Sequence, residues 1–427
     1  MSNAPAAVSP VPGVNQLDKG FATRMFLCLA AAYWLSYSMR AINSVIAPDL
    51  VADLSLSNAQ LGSLTSAYFF GFAMTQLPLG VWLDRYGSRR VHCCLLLIAA
   101  LGCTIFALSE AVVGLWIGRA LIGVGFAAGL MAPLRLYRFW FAADRQQQLV
   151  SLMLVAGTSG ALVATVPVRM VIPYIGWRGI FIGIAIVIVL ISIAIFFLLP
   201  KQEKLSPKAS LLDGLRGYKV VYADPYIWRF LVMAVLLQGG FVASSTLWAG
   251  PWFTRVLGMT PDQSAQALFV FNLGLMFSFV MLSGLVRKFE RRGWTLLHIT
   301  SVTSVGILLV HGVLSTVSDP IVGVGLWILW AFLAVAYTPM QTWVSLTFPD
   351  HLAGRALTAY NMVLFSGVFL IQWFFGALVD WCISWSASEA DGFRNALRIW
   401  MVMEFLGLLW MLLFRVRPYN ERGLPER

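Results

Sequence analysis

The stretch GVWLDRYGSRR, residues Gly80–Arg90, holds a cluster of charged side chains within a chain that is otherwise very hydrophobic. The charged residues are Asp84, Arg85, Arg89 and Arg90. Residues 61–79 and 91–109, on either side, contain no Asp, Glu, Lys or Arg. A short charged stretch between two long apolar ones is typical of a loop between membrane-spanning helices. We predict that this loop lies at the membrane surface and forms part of a gate.

The composition indicates that lipid is the main solvent of the chain. Of 427 residues, 59% are hydrophobic and 11% are charged, whereas about a quarter of the residues of a soluble domain are charged. A membrane-spanning helix needs about 20 mostly apolar residues, and the strands of a membrane barrel are shorter and alternate. We therefore predict an all-α integral membrane protein. The predicted helices cover residues 22–48, 57–83, 91–109, 112–141, 147–173, 178–200, 225–253, 262–286, 295–316, 320–347, 353–381 and 393–415.

No sequence pattern indicates a metal site, a cofactor, a disulfide framework or an enzyme. The five cysteines show neither CxxC nor Cys/His ligand spacing, and no motif pairs a nucleophile with a base. Residues 1–20 lack the basic start and apolar core of a cleaved signal peptide. We interpret them as a disordered cytoplasmic tail.

Basic residues are concentrated on one side of the predicted membrane. If the N-terminus is cytoplasmic, most of the 30 Lys and Arg residues fall in cytoplasmic loops and tails. This asymmetry follows the positive-inside rule. It predicts that both termini are cytoplasmic, and it accounts for the net charge of +11 without a nucleic-acid partner.

A polar connector after the sixth predicted helix divides the chain into two halves. The predicted organisation is a tail over residues 1–20, a six-helix bundle over 21–200, a cytoplasmic linker over 201–224, a second six-helix bundle over 225–416 and a tail over 417–427. The stretch GLVRKFERRGW, Gly284–Trp294, follows the second helix of its half as GVWLDRYGSRR does. The similarity predicts an internal duplication, although Lys288 stands where the first copy has Asp84.

These motifs resemble those of the major facilitator superfamily of transporters. Gly80–Arg90 fits the pattern G-x-x-x-D-R-x-G-x-R-R, and GRALIGVGFAAG, residues 118–129, fits R-x-x-x-G-x-G on the fourth helix. The resemblance covers about residues 20–416. It implies twelve transmembrane helices arranged as two six-helix bundles around a central cavity, with the substrate site between the halves. It also implies alternating access by a monomer.

The resemblance further implies that the charged loop latches the outward-facing state. We expect Gly80 to allow close approach of two helices and Gly87 to permit a tight turn. Asp84 is expected to accept hydrogen bonds from the N-terminus of a neighbouring helix. The loop arginines are expected to pair across the bundle or with lipid headgroups, the alternative being that they only fix the topology. These arginines are Arg85, Arg89 and Arg90.

An arginine in the first predicted helix is the main candidate for substrate binding. Tyr33, Tyr37, Arg40 and Ser44 recur at steps of four, three and four residues, so they share one helix face. A charged side chain at membrane depth must face protein or water. This face is therefore predicted to line a cavity that binds an anion. The alternative is a structural arginine held by backbone carbonyls.

Other polar residues within the helices are further candidates. Arg119 and Arg135 share the fourth helix but lie about 160° apart around it. We predict that Arg119 serves coupling or packing, and that Arg135 contacts substrate or extends to the membrane surface. In the second half the candidates for substrate contact, with packing as the alternative, are Gln238, Trp248, Tyr337, Gln341 and Asn361.

Three segments resemble the anion:cation symporters of the superfamily, which carry organic acids. They are the first-helix segment around YSMRAINS, RFWFAADR at 138–145 and GWRGIF at 176–181. In that group the first-helix arginine takes part in anion recognition, in agreement with Arg40. Met39 occupies a position where several relatives carry an acid. The remaining candidates for a proton carrier are Asp49 and Glu404, and burial favours protonation of the latter.

We therefore predict a proton-coupled importer of a small organic anion in a bacterial inner membrane, surrounded by lipid. Two other transporter classes remain open. Organophosphate exchangers typically bring a second arginine from the seventh helix, where this chain has none before Arg255. Drug/proton antiporters usually carry a Gly-Pro motif in the fifth helix, where Val166 precedes Pro167 here. No soluble domain supports a receptor or scaffold.

Overall fold

The computed structural model describes residues 19–200, 211–345 and 347–417. The described residues form helices and no strands. Most of both predicted tails, at 1–18 and 418–427, and part of the predicted linker, at 201–210, lie outside the described residues. The rest of the linker forms a helix, Leu211–Ala223.

Each of the twelve predicted helices coincides with a helical span, and the helical membrane fold is confirmed. Ten helices of the described part are long and apolar enough to cross a membrane by themselves. The other two are the second span, which buries polar side chains such as Thr65 and Gln76 inside the protein, and the fifth, whose first apolar segment, Gln148–Val163, is shorter. In order, the spans are Lys19–Leu54, Asn58–Tyr86, Ser88–Leu108, Val112–Trp140, 143–175, 177–198, Pro225–Val256, Pro261–Glu290, Leu296–Leu314, Pro320–Ser345, Asp350–Ile383 and Glu389–Leu413.

Local sequence fixes where the second span begins and ends. Ser57 Oγ accepts from the backbone N–H of Gln60 at 3.2 Å, and Gln60 Oε1 accepts from the N–H of Ser57 at 3.0 Å. This reciprocal capping box satisfies two backbone donors at the helix start. The span ends at Gly87, whose φ of 83° is unfavourable for residues with a side chain. The charged loop is therefore a tight turn, after which the third span begins at once.

Four spans contain interruptions, and in the fifth span the interruption is a turn at 164–165. The fourth span is broken by a turn at 127–130 and the tenth by a turn at 336–337. These are the fourth spans of their respective halves, which agrees with an internal duplication. The seventh span contains three π-helical segments, Ala234–Gly239, Ser244–Trp248 and Trp252–Val256. Such wider turns are often found at functional sites.

The two halves meet closely at one end of the bundle. A Cβ atom at Gly62 would overlap the carbonyl oxygen of Gln372, and one at Gly250 would overlap that of Ser44. Small residues thus allow backbones of opposite halves to touch, as is common between membrane helices. We call this end of the bundle, which contains Asp49, Gly62 and Gly250 with their neighbours, the sealed end.

Candidate functional site

A cavity of about 280 Å³ lies between the two halves. Arg40 is the one charged residue among the described residues that line it. The remaining wall is largely aromatic and aliphatic, so a few polar groups would set the orientation of a ligand. Five amide side chains also line the cavity, and these are Gln76, Gln238, Asn272, Gln341 and Asn361.

The Arg40 guanidinium is surrounded by hydroxyl groups and aromatic rings. Its Nε donates to the Tyr68 hydroxyl at 3.2 Å, and its Nη2 makes a longer hydrogen bond of 3.5 Å to Ser36 Oγ. The rings of Phe72 and Phe365 lie 4.9 and 5.6 Å from the guanidinium carbon. Within the described part of the chain, no Asp or Glu pairs with Arg40. The cavity therefore presents a positive charge that no carboxylate of the described residues neutralises.

The structure brings together six of the ten residues predicted to contact substrate. The residues that line the cavity are Arg40, Tyr33, Tyr37, Gln238, Gln341 and Asn361. They come from the first, seventh, tenth and eleventh spans, so both halves contribute. Tyr33 and Tyr37 stack edge to face with centroids 5.1 Å apart. The helix face predicted from their spacing is thus directed into the cavity.

The other four predicted contact residues lie outside the cavity lining. Ser44 donates to the carbonyl oxygen of Ser245 at 3.4 Å, where the first and seventh spans touch. Trp248 is buried against other aromatic rings. The Tyr337 hydroxyl donates to a backbone carbonyl of the ninth span at 3.0 Å. Arg135 pairs with Asp84 instead.

Several cavity residues were not predicted from the sequence. Gln76 and Asn272 are amide residues within otherwise largely apolar helical segments, and that feature could have identified them. The sequence does not distinguish Phe72 and Phe365 as cavity residues, because phenylalanines are common throughout the chain. Only the approach of the second and eleventh spans, whose Phe72 and Phe365 rings are 4.7 Å apart, places them at Arg40.

The charged loop makes contacts within the N-terminal half. Asp84 forms an ion pair with Arg135 of the fourth span, where we expected hydrogen bonds from a helix N-terminus. Arg89 donates to the carbonyl oxygen of Phe196 at 3.1 Å. A Cβ atom at Gly80 would meet nothing within 4 Å, so the expected close approach of helices does not occur there. The guanidinium of Arg85 lies over the Tyr86 ring, and Arg90 is exposed.

Arg119 is fully buried in the N-terminal half. It donates to Asn43 Oδ1 and, at 3.4 Å, to the carbonyl oxygen of Met39. Its guanidinium carbon lies 4.5 and 4.9 Å from the ring centres of Phe106 and Phe181. Arg119 therefore joins the first, third, fourth and sixth spans. Neither it nor Arg135 lines the cavity, although the fourth span is broken between them.

Ion pairs join the two halves at the sealed end. Arg169 of the fifth span donates to Asp49 at 3.2 Å and to Asp262 of the eighth span at 2.8 Å. Asp49, a predicted proton carrier, thus belongs to an ionic bridge between the halves. Arg255 of the seventh span donates to Asn58 Oδ1 at 2.8 Å.

A carboxylate of the eleventh span also caps the second span. Asp380 accepts from the backbone N–H groups of Asn58 and Ala59, at 3.2 and 2.8 Å. A negative charge at a helix N-terminus is favourable because of the helix dipole. The opposite halves are therefore held together by charge as well as by backbone contact.

The family of the chain follows from comparison with known proteins. Residues 29–372 match the sequence profile of the Major Facilitator Superfamily. The chain belongs to this superfamily. The similar proteins of this superfamily are named as transporters, so this is a family of transporters and not of enzymes.

Three curated transporters are similar in sequence to this chain along part of their length. The "Probable nitrate/nitrite antiporter NarK1" of Thermus thermophilus is 25% identical over 57% of this chain and 57% of its own. The "Probable L-galactonate transporter" of Escherichia coli is 27% identical over 62% of this chain and 60% of its own. The "Hexuronate transporter" of Escherichia coli is 27% identical over 47% of this chain and 46% of its own. The similarity thus spans roughly half to three fifths of these relatives.

Solved transporters share the fold over nearly the whole chain. A D-xylose-proton symporter superposes with a TM-score of 0.75 at 18% identity, covering 94% of this chain and 99% of that chain. A bacterial homologue of the human lysosomal transporter Spinster, in an inward-facing conformation, gives 0.74 at 15% identity and covers 94% and 100%. At this identity the likeness establishes the fold alone. Among the described residues, no cluster of His, Cys, Asp or Glu could hold a metal ion.

Proposed function

We propose that the chain is a secondary active transporter that imports a small organic anion by alternating access. The observation that carries the proposal is Arg40, the charged residue of a cavity between two six-helix halves. Its guanidinium has no carboxylate partner in the described residues, and its planar fork of donors matches a carboxylate. A substrate carboxylate would supply the missing counter-ion at membrane depth.

The cavity also indicates which organic anion is favoured. Its five amide groups can donate to and accept from hydroxyl groups, whereas the aromatic wall suits the apolar face of a ring. A sugar acid combines one carboxylate with several hydroxyls. The names of two relatives, a hexuronate transporter and an L-galactonate transporter, support this class of substrate.

Two alternative substrates fit the cavity less well. A relative from Chlamydia pneumoniae is named a "Probable hexose phosphate transport protein". A phosphate ester carries more charge than one arginine neutralises, and Arg255 of the seventh span is paired with Glu389 at 2.6 Å at the sealed end. Nitrate carries no hydrogen-bond donor, so it would leave the amide oxygens of Gln238 and Gln341 without a partner from the substrate.

The remaining parts of the proposal concern energy and orientation. We propose that inward proton flow drives uptake, and that the protein works as a monomer in the bacterial inner membrane among its lipids. The basic loops support cytoplasmic termini, and in that orientation the sealed end faces the periplasm. The division into bundles at residues 21–200 and 225–416, joined by the 201–224 linker, belongs to this proposal.

The test is uptake by purified protein in proteoliposomes. The labelled anions are D-glucuronate, L-galactonate, glucose 6-phosphate and nitrate. We expect uptake of at least one of the two sugar acids and none of glucose 6-phosphate or nitrate. Uptake of only phosphate or nitrate, or of no anion, contradicts the proposal.

Variants of Arg40 connect transport with the cavity. Arg40→Ala should weaken binding of the transported anion about tenfold or more, because a hydrogen bond to a charged group contributes roughly 1.5–3 kcal/mol. Arg40→Lys keeps the charge without the fork and should have an intermediate affinity. Arg24→Ala, at an exposed position of the same span, is the matched control. If a well-folded Arg40→Ala protein binds with parental affinity, the anion site lies elsewhere.

A further inference from the structure

The C-terminal half contains a second buried pair of titratable side chains, outside the central cavity. His311 Nδ1 of the ninth span lies 2.8 Å from Glu404 Oε2 of the twelfth span. Trp400 donates its indole N–H to Glu404 Oε1 at 3.0 Å. The side chains of His311 and Glu404 are both fully shielded from solvent. An acid and a base are thus hydrogen-bonded to each other in a dry part of the bundle.

The surroundings of this pair leave His311 as the counter-group of Glu404. Within the described residues, no Lys or Arg is paired with Glu404. The other titratable group near it is the Tyr337 hydroxyl, which is already hydrogen-bonded to the ninth span. The aromatic neighbours Trp330 and Trp400 do not titrate. The charge of the site is therefore decided by His311 and Glu404 together.

The hydrogen bonds determine where a proton can be gained or lost. Net charge in a dry site costs several kcal/mol, so the pair is most stable when it holds one exchangeable proton and is neutral overall. Nδ1–H of His311 can donate to Glu404 whether or not Nε2 is protonated. Nε2 has no hydrogen-bond partner among the described residues. With Nδ1–H as the donor to Glu404, the position left for an exchangeable proton is Nε2, and its loss leaves the carboxylate with its two donors.

The pair is one layer of side chains behind the cavity wall. The Trp330 ring packs edge to face on His311, with centroids 4.3 Å apart, and on Phe241, at 5.6 Å. Phe241 lines the central cavity. Trp400 lies against Gly240 of the seventh span, where a Cβ atom would be 3.0 Å from its ring. Gly240 lies directly after the first π-helical segment of that span.

We propose that His311 and Glu404 form the proton-binding site of the transporter, an assignment that rests on the function proposed above. One proton binds from water at Nε2 of His311 on one side of the membrane. The same proton leaves to water on the other side, and no bond changes except that N–H bond. Because the pair is shielded in this conformation, exchange requires movement of the spans around it. The contacts through Trp330 and Trp400 link that movement to the cavity.

A proton titration tests the assignment without any substrate. Potentiometric titration compares the purified parent with the His311→Gln/Glu404→Gln variant, which retains a hydrogen-bonded pair of similar size. Over the pH range in which the pair passes from neutral to negative, we expect the parent to release one proton more than this variant. Glu110→Gln, at an exposed carboxylate, calibrates a one-proton difference in the acid range. Equal proton counts for parent and double variant overturn the assignment.

Transport of D-glucuronate provides a second readout. If one proton accompanies one monovalent anion, the parent should accumulate it about tenfold for each unit of pH difference. The double variant and Glu404→Gln should exchange labelled for unlabelled anion as the parent does but should not accumulate it. Glu110→Gln should behave as the parent does.

The possible failures are distinguishable. If the double variant accumulates the anion as much as the parent does, the assignment of the proton site is overturned and the proposal of anion transport is unaffected. Transport by the parent that does not depend on the pH gradient also overturns the assignment and leaves anion transport intact. If the parent transports no anion of the panel, the proposed function fails, and the titration still decides whether the pair exchanges a proton.

Discussion

Asp84 and Arg135 form an ion pair that connects the end of the second span to the second segment of the fourth span. That segment, Met131–Trp140, is separated from the rest of its span by the turn at 127–130. The ion pair therefore adds a charged contact with the second span to a short helix that also packs against the third and fifth spans. Both residues belong to the N-terminal half, so this ion pair organises one half in this conformation.

The first prediction concerns this ion pair. Asp84→Asn should slow transport severely, because the Met131–Trp140 segment loses its attachment to the second span. The effect on thermal stability should be small, since a partly exposed ion pair contributes about 0.2–1 kcal/mol. Turnover in proteoliposomes and thermal unfolding measure the two effects. The exchanged pair Asp84→Arg/Arg135→Asp should restore part of the turnover, and near-normal turnover of Asp84→Asn would show that the ion pair has no role in gating.

The second prediction concerns the bridge between the halves. Arg169→Gln should weaken the sealed end, because it removes the donors to Asp49 and Asp262 together. We expect a cysteine introduced at Val51, which lines a small cavity at that end, to react faster with an impermeant maleimide. The matched control is Arg178→Gln, since Arg178 pairs at 3.1 Å with Asp53 of its own half. Equal labelling rates in the two variants would contradict the role of Arg169 as a bridge between the halves.

The third prediction concerns backbone contact between the halves. Gly250→Ala should push the seventh span away from the first, because the new methyl group would overlap the Ser44 carbonyl oxygen. The conformation with the sealed end closed should lose population, which the same labelling assay at Val51 would detect. Gly183→Ala is the control, because its Cβ would meet nothing within 4 Å. An unchanged labelling rate in Gly250→Ala would mean that the first and seventh spans can move apart without any loss of the closed conformation of the sealed end.

The fourth prediction concerns the buried Arg119. Asn43→Ala removes its side-chain acceptor and leaves part of a buried charge unsatisfied, which costs about 1–3 kcal/mol. Thermal unfolding in detergent should therefore shift to lower temperature. Asn361→Ala removes an amide that faces the cavity and should have a smaller effect on stability. A loss for Asn43→Ala no larger than that for Asn361→Ala would show that Arg119 is satisfied in another way.

The sequence by itself determined the membrane spans. In lipid every backbone polar group must be paired within its own helix, so the length and hydropathy of each segment decide whether it forms a span. This is why the twelve predicted helices occur, ten of them long and apolar enough to cross a membrane by themselves. The tight turn at Gly87 was predictable for a different local reason, because a glycine permits a positive φ. The face of the first span that bears Tyr33, Tyr37 and Arg40 was predictable for a similar reason, since helical spacing is a local property.

Only the tertiary structure decided which residues meet across the bundle. Arg169 and Asp262, or His311 and Glu404, are 93 residues apart, and no local pattern relates them. Their meeting depends on the packing of whole spans, because each helix has several faces that hydropathy alone does not distinguish. The same holds for Arg135, whose partner Asp84 was visible in the sequence while the break that brings them together was not. Contacts within one helix follow from its sequence, whereas contacts between helices follow from the packing of the complete chain.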